Sequence, residues 1–308
     1  MEQSKRTFGV WLMEGWLHLH GMLPLGYHRW WGRVIGKALY GVFHYRTDVV
    51  MTNLARSFPE KKYKELTQIS KQFYIHLATV YTTLIWYGSC KGDKGRKRLL
   101  ESRLLEITNP EEAARLLSNK NQLMVIYPHT GNWESMASLA LFGPEEKMGF
   151  LTVQAAVVYK AVSNKFWDRI MEDLRLAPII DFPGMEGYLE SKKVHRTALS
   201  NRGKKYVYFF NTDQYPYEGA STIPVTFMHQ PTLTMKGGPQ LARKLDMNVA
   251  YMRSRCREDG GYSYTFIPLA EPASAATPEE MMQKYYELLE EDLREQPWNY
   301  LWSHKRWK

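Results

Sequence analysis

Cysteine is almost absent from this chain, which has only Cys90 and Cys256 in 308 residues. They are far apart and in no paired motif, so neither a disulfide framework nor a structural zinc site is expected, and a reducing cytosolic setting fits. A long hydrophobic run is also lacking. Residues 10–25 are rich in Trp, Leu and Met, but Glu14, His18 and His20 interrupt them and Pro24 closes the run. A spanning helix needs about twenty mostly apolar residues, so this stretch is marginal. No cleavable signal peptide is evident, because the start has no clean apolar stretch followed by a small-residue cleavage site. Internal repeats, low-complexity tracts and Pro/Ser-rich linkers are missing, which argues against separable domains. Helix-turn-helix, KH, RRM and zinc-finger signatures are missing too, and the basic residues are scattered, so no nucleic-acid partner is expected.

What the chain does have is positive charge and aromatic rings. Its formal net charge is +9, and 14% of its residues are Phe, Trp or Tyr, including ten Trp and twenty Tyr. Such a charge attracts polyanions, among them anionic lipid headgroups and acidic proteins. Aromatic rings suit a lipid–water interface, although ordinary core rings give the same composition. Arg29, Arg33 and Lys37, with Trp30 and Trp31, directly follow the N-terminal apolar run. That pattern is read as a segment lying on an inner-leaflet surface, with a buried amphipathic helix as the alternative.

Residues 1–100 read as a helical, membrane-proximal region. Leu66, Ile69, Phe73, Ile75, Leu77 and Val80 recur at helical spacing in a segment ending near Gly88. Residues 90–98 (CKGDKGRKR) read as a basic surface loop. From 101 to 308 one continuous α/β core is expected, a single mixed sheet flanked by helices. Its predicted strands are 123–127 (LMVIY), 149–153, 206–210, 223–228, 248–252 and 262–267. Helices are predicted at 132–141, 162–175, 186–200 and 234–245. A last helix is marked by Thr277 as cap, Pro278 in its first turn and Glu280 as capping-box carboxylate, and Pro297 stops it. Met281, Tyr285, Leu288, Leu289 and Leu293 make its apolar face, a structural element with no chemistry assigned.

The segment that can carry chemistry is 127–134 (YPHTGNWE). It lies where a buried strand gives way to a helix, the usual position of active residues in open α/β sheets. His129 falls on the loop, and Glu134 in the first helical turn, where the dipole keeps a carboxylate ionised. Glu134 is expected to accept the proton of one ring nitrogen of His129, leaving the other to take a proton from an attacking hydroxyl. The spacing is not that of HExxH, and no third metal ligand is evident. No GxSxG elbow is present either, so the nucleophile is expected to belong to the substrate.

Other segments follow in a definite order. They are Tyr45-Arg46 with 53–60 (NLARSFPE), Val158-Tyr159-Lys160 with Asn164, Asp168 and Arg175, then Asp213-Gln214, and finally 302–308 (WSHKRWK). On these motifs, together with HTGNWE, the chain resembles the lysophospholipid acyltransferase superfamily. Within it, the resemblance is close to the late lipid A acyltransferases, the lauroyl and myristoyl transferases, along nearly the whole length. The resemblance implies a glycerolipid acyltransferase-like fold and an O-acyltransferase without cofactor or metal. It implies transfer from an acyl-carrier-protein thioester to a hydroxyl of a lipid A precursor, on the cytoplasmic face of a Gram-negative inner membrane. It implies that His129 and Glu134 are the catalytic pair, that Arg175 and Asp213 are also required, and that Asn132 and Gln214 support them. A guanidinium at 175 suits a glycolipid phosphate or an oxyanion.

Two positions depart from the family pattern: Pro128 where glycine is common, and Ala177 where a second arginine is usual. They bear on substrate more than on reaction. A lysophospholipid or aminolipid hydroxyl is the alternative acceptor. A basic, non-enzymatic membrane- or nucleic-acid-binding protein is the alternative class, and the presence of both His129 and Glu134 argues against it.

Overall fold

The computed structural model describes residues 8–160 and 164–307. Lys308 of the terminal motif, residues 162 and 163 of one predicted helix, and the side chain of Val10 lie outside the described residues.

The N-terminal third is helical: α1 (Phe8–Gly21), α2 (Leu25–Gly41), α3 (Thr47–Ser57), α4 (Tyr63–Tyr87) and α5 (Gly92–Glu101). The long α4 buries Leu66, Ile69, Phe73, Leu77, Val80 and Leu84 on one face, as its spacing predicts. Helix α2 lies against it with almost no gap, because Gly32 and Gly36 face the contact. A Cβ on Gly36 would sit 2.5 Å from the Ile75 Cα. Residues 90–98 are a correction: most of this stretch is the start of α5, not a loop. Leu99 is fully buried, and Arg96 bonds both Asp93, one turn back, and Asp181 at 2.5 Å. A distant carboxylate and a buried leucine give this basic stretch the support that its composition lacks.

The remainder is α/β: β1 (Leu105–Ile107), α6 (Pro110–Ser118), β2 (Gln122–Tyr127), α7 (Glu145–Met148), β3 (Ala155–Tyr159), α8 (Lys165–Leu176), β4 (Gly187–Glu190), α9 (Val194–Ser200) and β5 (Tyr206–Asn211). It continues with β6 (Thr222–Phe227), β7 (Gln230–Met235), α10 (Gly237–Lys244), β8 (Asn248–Cys256), β9 (Tyr262–Ala270) and α11 (Pro278–Glu295). Seven strands form one mixed sheet in the order β1-β9-β8-β2-β5-β3-β4, while β6 and β7 form a separate hairpin. Within the large sheet only β8 and β9 run antiparallel. Every residue of the central β2 is buried, which explains its unbroken apolar run.

Several predicted boundaries move. The strand predicted at 149–153 lies instead at β3, because Gly149 adopts φ +73° as it ends α7 and the residues that enter the sheet are 155–159. The helix predicted at 186–200 begins only at Val194; its first part is β4, which finds a partner in β3. Likewise, 234 and 235 belong to β7 and only the rest of that prediction is α10. Residues 223–228 are strand except for Met228, but in the hairpin rather than the main sheet. The predicted helix at 132–141 is a 3-10 segment, Trp133–Phe142. For β4 and the β6–β7 hairpin a partner strand outweighs local preference.

No helix among the described residues is long and apolar enough to cross a membrane. Large apolar side chains are nevertheless exposed in rows on the first two helices: Trp11, Leu12, Trp16 and Leu19 on α1, and Trp30, Trp31, Val34 and Ile35 on α2.

The connections place a crevice at the centre of the sheet. After β2 the chain moves past β5 to reach β3, whereas after β5 it returns across β2 to reach β8. Paths that diverge from neighbouring parallel strands leave a gap at their carboxyl ends, the favoured position for a ligand.

Candidate functional site

Strands β2 and β5 are parallel, with Tyr127 level with Asn211. Two residues beyond each end stand His129 and Asp213, which therefore meet across the crevice. The distance from His129 Nδ1 to Asp213 Oδ1 is 2.8 Å. Asp213 is 1% exposed. Burial pushes its carboxyl up, but the charge and hydrogen bonds of His129 outweigh this and hold it below the ordinary aspartate value. An ionised Asp213 can only accept, so Nδ1–H is the donor, and in the neutral imidazole Nε2 then carries the lone pair. The Gln214 amide nitrogen lies 3.3 Å from that Nε2.

The expected bond between His129 and Glu134 is not formed. Glu134 is turned to the other side and forms a buried ion pair with Arg175 Nε. Its other oxygen accepts from Trp133 Nε1 at 3.0 Å. The correction has a geometric cause. Glu134 lies in the first turn of a 3-10 segment packed against α8, the helix that carries Arg175, whereas the turn after β5 brings a nearer carboxylate to the imidazole. Burial works against the Arg175 charge, but Glu134 raises its pKa further above the ordinary arginine value, and the guanidinium lies over the Tyr188 ring at 5.7 Å. The six residues named from sequence therefore divide. His129, Asp213 and Gln214 form one cluster, Glu134 and Arg175 a second, and the ring of Trp133 lies 5.7 Å from that of His129 between them.

Asn132 is elsewhere, holding the loop. Its backbone N–H donates to the Tyr264 hydroxyl and its carbonyl accepts from that hydroxyl, each at 3.1 Å. Gly131 has φ +60°, and a Cβ there would sit 2.3 Å from Ser254 Oγ, so the glycine is required twice over. Its N–H donates to Asn299 Oδ1 at 2.6 Å.

The C-terminal segment braces the other side. The Tyr300 hydroxyl donates to the Asp213 carbonyl at 3.4 Å, and the Tyr215 N–H donates to His304 Nε2 at 3.2 Å. Arg306 is buried and donates to the Tyr286 hydroxyl, which itself donates to the carbonyl of Thr212. Asn53 Nδ2 donates to the carbonyls of Trp302 and His304, and Arg46 to that of Ser303. Two motifs some 250 residues apart in sequence thus meet as one support. Asn299, Tyr264 and Tyr300 carry no periodic or motif signal and were not legible as site residues.

A cavity of about 920 Å³ opens beside His129, Glu134, Arg175 and Gln214, within the range of pockets that hold sizeable ligands. Part of its wall is apolar, from Val157, Val158, Phe210 and Met235, while Lys160, Lys192 and His195 also line it. Neither cysteine lines it, and among the described residues no group of three His, Cys, Asp or Glu side chains is placed to hold a metal ion. An oriented imidazole beside a partly apolar cavity with cationic groups can take a proton from a group bound there.

The sequence model of the bacterial lipid A biosynthesis acyltransferase family matches residues 3–308. The chain belongs to that family. As a lipid A biosynthesis acyltransferase it is an enzyme that takes an acyl donor and a lipid acceptor, and the matched span includes the helical region as well as the sheet. No curated protein matches this acyltransferase.

Proposed function

We propose that the enzyme transfers a fatty acyl chain from an acyl-carrier-protein thioester to a hydroxyl of a lipid A precursor, at the cytoplasmic face of the inner membrane. The observation that carries the mechanism is the 2.8 Å bond between His129 and the buried Asp213 at the rim of the cavity. His129 Nε2 takes the proton of the acceptor hydroxyl as its oxygen attacks the thioester carbonyl carbon. The tetrahedral oxyanion collapses, the C–S bond breaks, and the leaving thiolate takes the proton back from Nε2. Asp213 holds the ring tautomer and offsets the imidazolium charge. The Gln214 amide, now on Nε2, gives way to the hydroxyl. Glu134 acts one step removed: it aims Arg175 at the charge that develops on the oxyanion or at a substrate phosphate.

The surroundings support both substrates. Lys160, Lys192 and His195 at the cavity wall favour a phosphate-bearing arm on an acidic carrier. A chain of about 12–16 carbons at about 0.8 kcal/mol per CH₂ resists exposure to water by roughly 10 kcal/mol, so donor and acceptor must meet where apolar surface is continuous. The exposed tryptophans of α1 and α2 suit residues 1–100 to a bilayer surface. The test is mass spectrometry of products after incubation with acyl-carrier-protein thioesters and lipid A precursors. One added acyl chain, lost in His129→Ala, is expected. Acylation of lysophospholipid or aminolipid alone would overturn the acceptor, and full transfer by His129→Ala would overturn the mechanism.

A further inference from the structure

A second cavity of about 590 Å³ lies beside the close α2–α4 contact, bounded also by Arg46 and by the C-terminal segment at Leu301, Ser303 and His304. Its walls are largely apolar, from Ile35 and Leu39 on α2 and Leu77, Ala78 and Ile85 on α4. It adjoins the catalytic cavity: Tyr81 and Leu301 line both. The Tyr81 ring lies 6.5 Å from that of Trp133, which in turn lies 5.7 Å from that of His129. At its outer side the groove is continuous with exposed apolar surface. Ile35, a wall residue, is 38% exposed, and with Trp30, Trp31 and Val34 it falls on one face of α2 by helical spacing.

We propose that this groove receives an acyl chain of the acceptor lipid directly from the bilayer, and that Tyr81 and Leu301 form the passage through which the acceptor hydroxyl reaches His129. The inference rests on the acyl-transfer reading above. The two substrates approach from different phases. The donor comes from water on an acidic carrier and meets the cationic wall of the catalytic cavity. The acceptor already lies in the membrane and meets the aromatic face of α2. A chain in the groove keeps its methylenes out of water throughout. Arg46, at the groove wall with Ser303 and His304, supplies a cation for the acidic headgroup that such a lipid carries.

The test uses the full chain on vesicles of phosphatidylethanolamine and phosphatidylglycerol, with Ile35→Trp to narrow the mouth and Ala78→Phe to fill the floor. Ile35 is partly exposed, so its variant folds even if the tighter Ala78 site does not. Displacing two methylenes of the acceptor chain is expected to raise its KM about ten-fold, while hydrolysis of the donor thioester without acceptor stays at the wild-type rate. A diazirine-bearing phosphatidylglycerol in the same vesicles is expected to crosslink within residues 77–85 of the wild type and not in Ile35→Trp. Equal loss of donor hydrolysis would assign the groove to the donor chain and overturn the proposal, as would unchanged transfer kinetics or absent crosslinking. If the wild type crosslinks but transfers nothing from the thioester, the acyl-transfer reading fails while the lipid-chain site stands.

Discussion

Replacing Asp213 with asparagine separates the role assigned here to that residue from the role first expected of Glu134. The change is isosteric and removes one charge. The His129 backbone N–H bonds the carboxylate as well as the ring, so the amide oxygen is expected to stay with that N–H and the NH₂ to face Nδ1. Nδ1 must then accept, the ring proton moves to Nε2, and the base is lost. General-base assistance is worth about 10²–10⁴ in rate, or about 2.7–5.4 kcal/mol at 1.36 kcal/mol per decade. The expected result is a kcat lowered by about 10²–10⁴, with KM for donor and acceptor changed by less than about three-fold.

Glu134→Gln is the matched control. It leaves the guanidinium of Arg175 without its carboxylate, and breaking a buried pair costs about 3–5 kcal/mol. Because Arg175 is 22% exposed at its side chain, the lower end is the better guide, seen as a melting point lower by about 2 °C per kcal/mol or a little more. Steady-state kinetics with thermal melts on both variants decides the matter. An Asp213→Asn enzyme within ten-fold of wild type, or a Glu134→Gln enzyme that loses the same kcat without losing stability, would refute the assignment.

Gly131→Ala meets both a positive φ and Ser254, so a loss of about 1–3 kcal/mol or more in urea unfolding and a collapse of activity are expected; wild-type stability would mean the loop is not held as described. Asn299→Ala leaves the buried Gly131 N–H unpaired, with an expected cost of about 1–3 kcal/mol and faster exchange of that amide by hydrogen-exchange mass spectrometry. Asp213 has a folded value below the ordinary aspartate value of about 4, so the stability it contributes is present above that pH and lost as pH falls through the lower folded value. Urea titrations from about pH 5 to 2 should therefore show a steeper loss in wild type than in Asp213→Asn, and parallel curves would count against an ionised, paired carboxylate.

The helical first third, the apolar run 123–127 of β2, the capped final helix and the segment around His129 were legible because each signal is local: spacing on α4, an unbroken buried run, the Thr277–Glu280 box, a loop between strand and helix. Motif resemblance also brought Asp213, Gln214 and Arg175 forward. It could not say which carboxylate faces the imidazole. Sequence distance favoured Glu134, five positions away, but contact depends on strand register, and β2 beside β5 sets His129 opposite Asp213 across 84 residues. The same holds for β4, which is a strand because β3 lies beside it, and for α5, which is helical because Leu99 is buried and Asp181 is near. Local chemistry thus determined which groups are available for proton transfer. Only the order of strands in the sheet, a property of long-range packing, decided which of them meet.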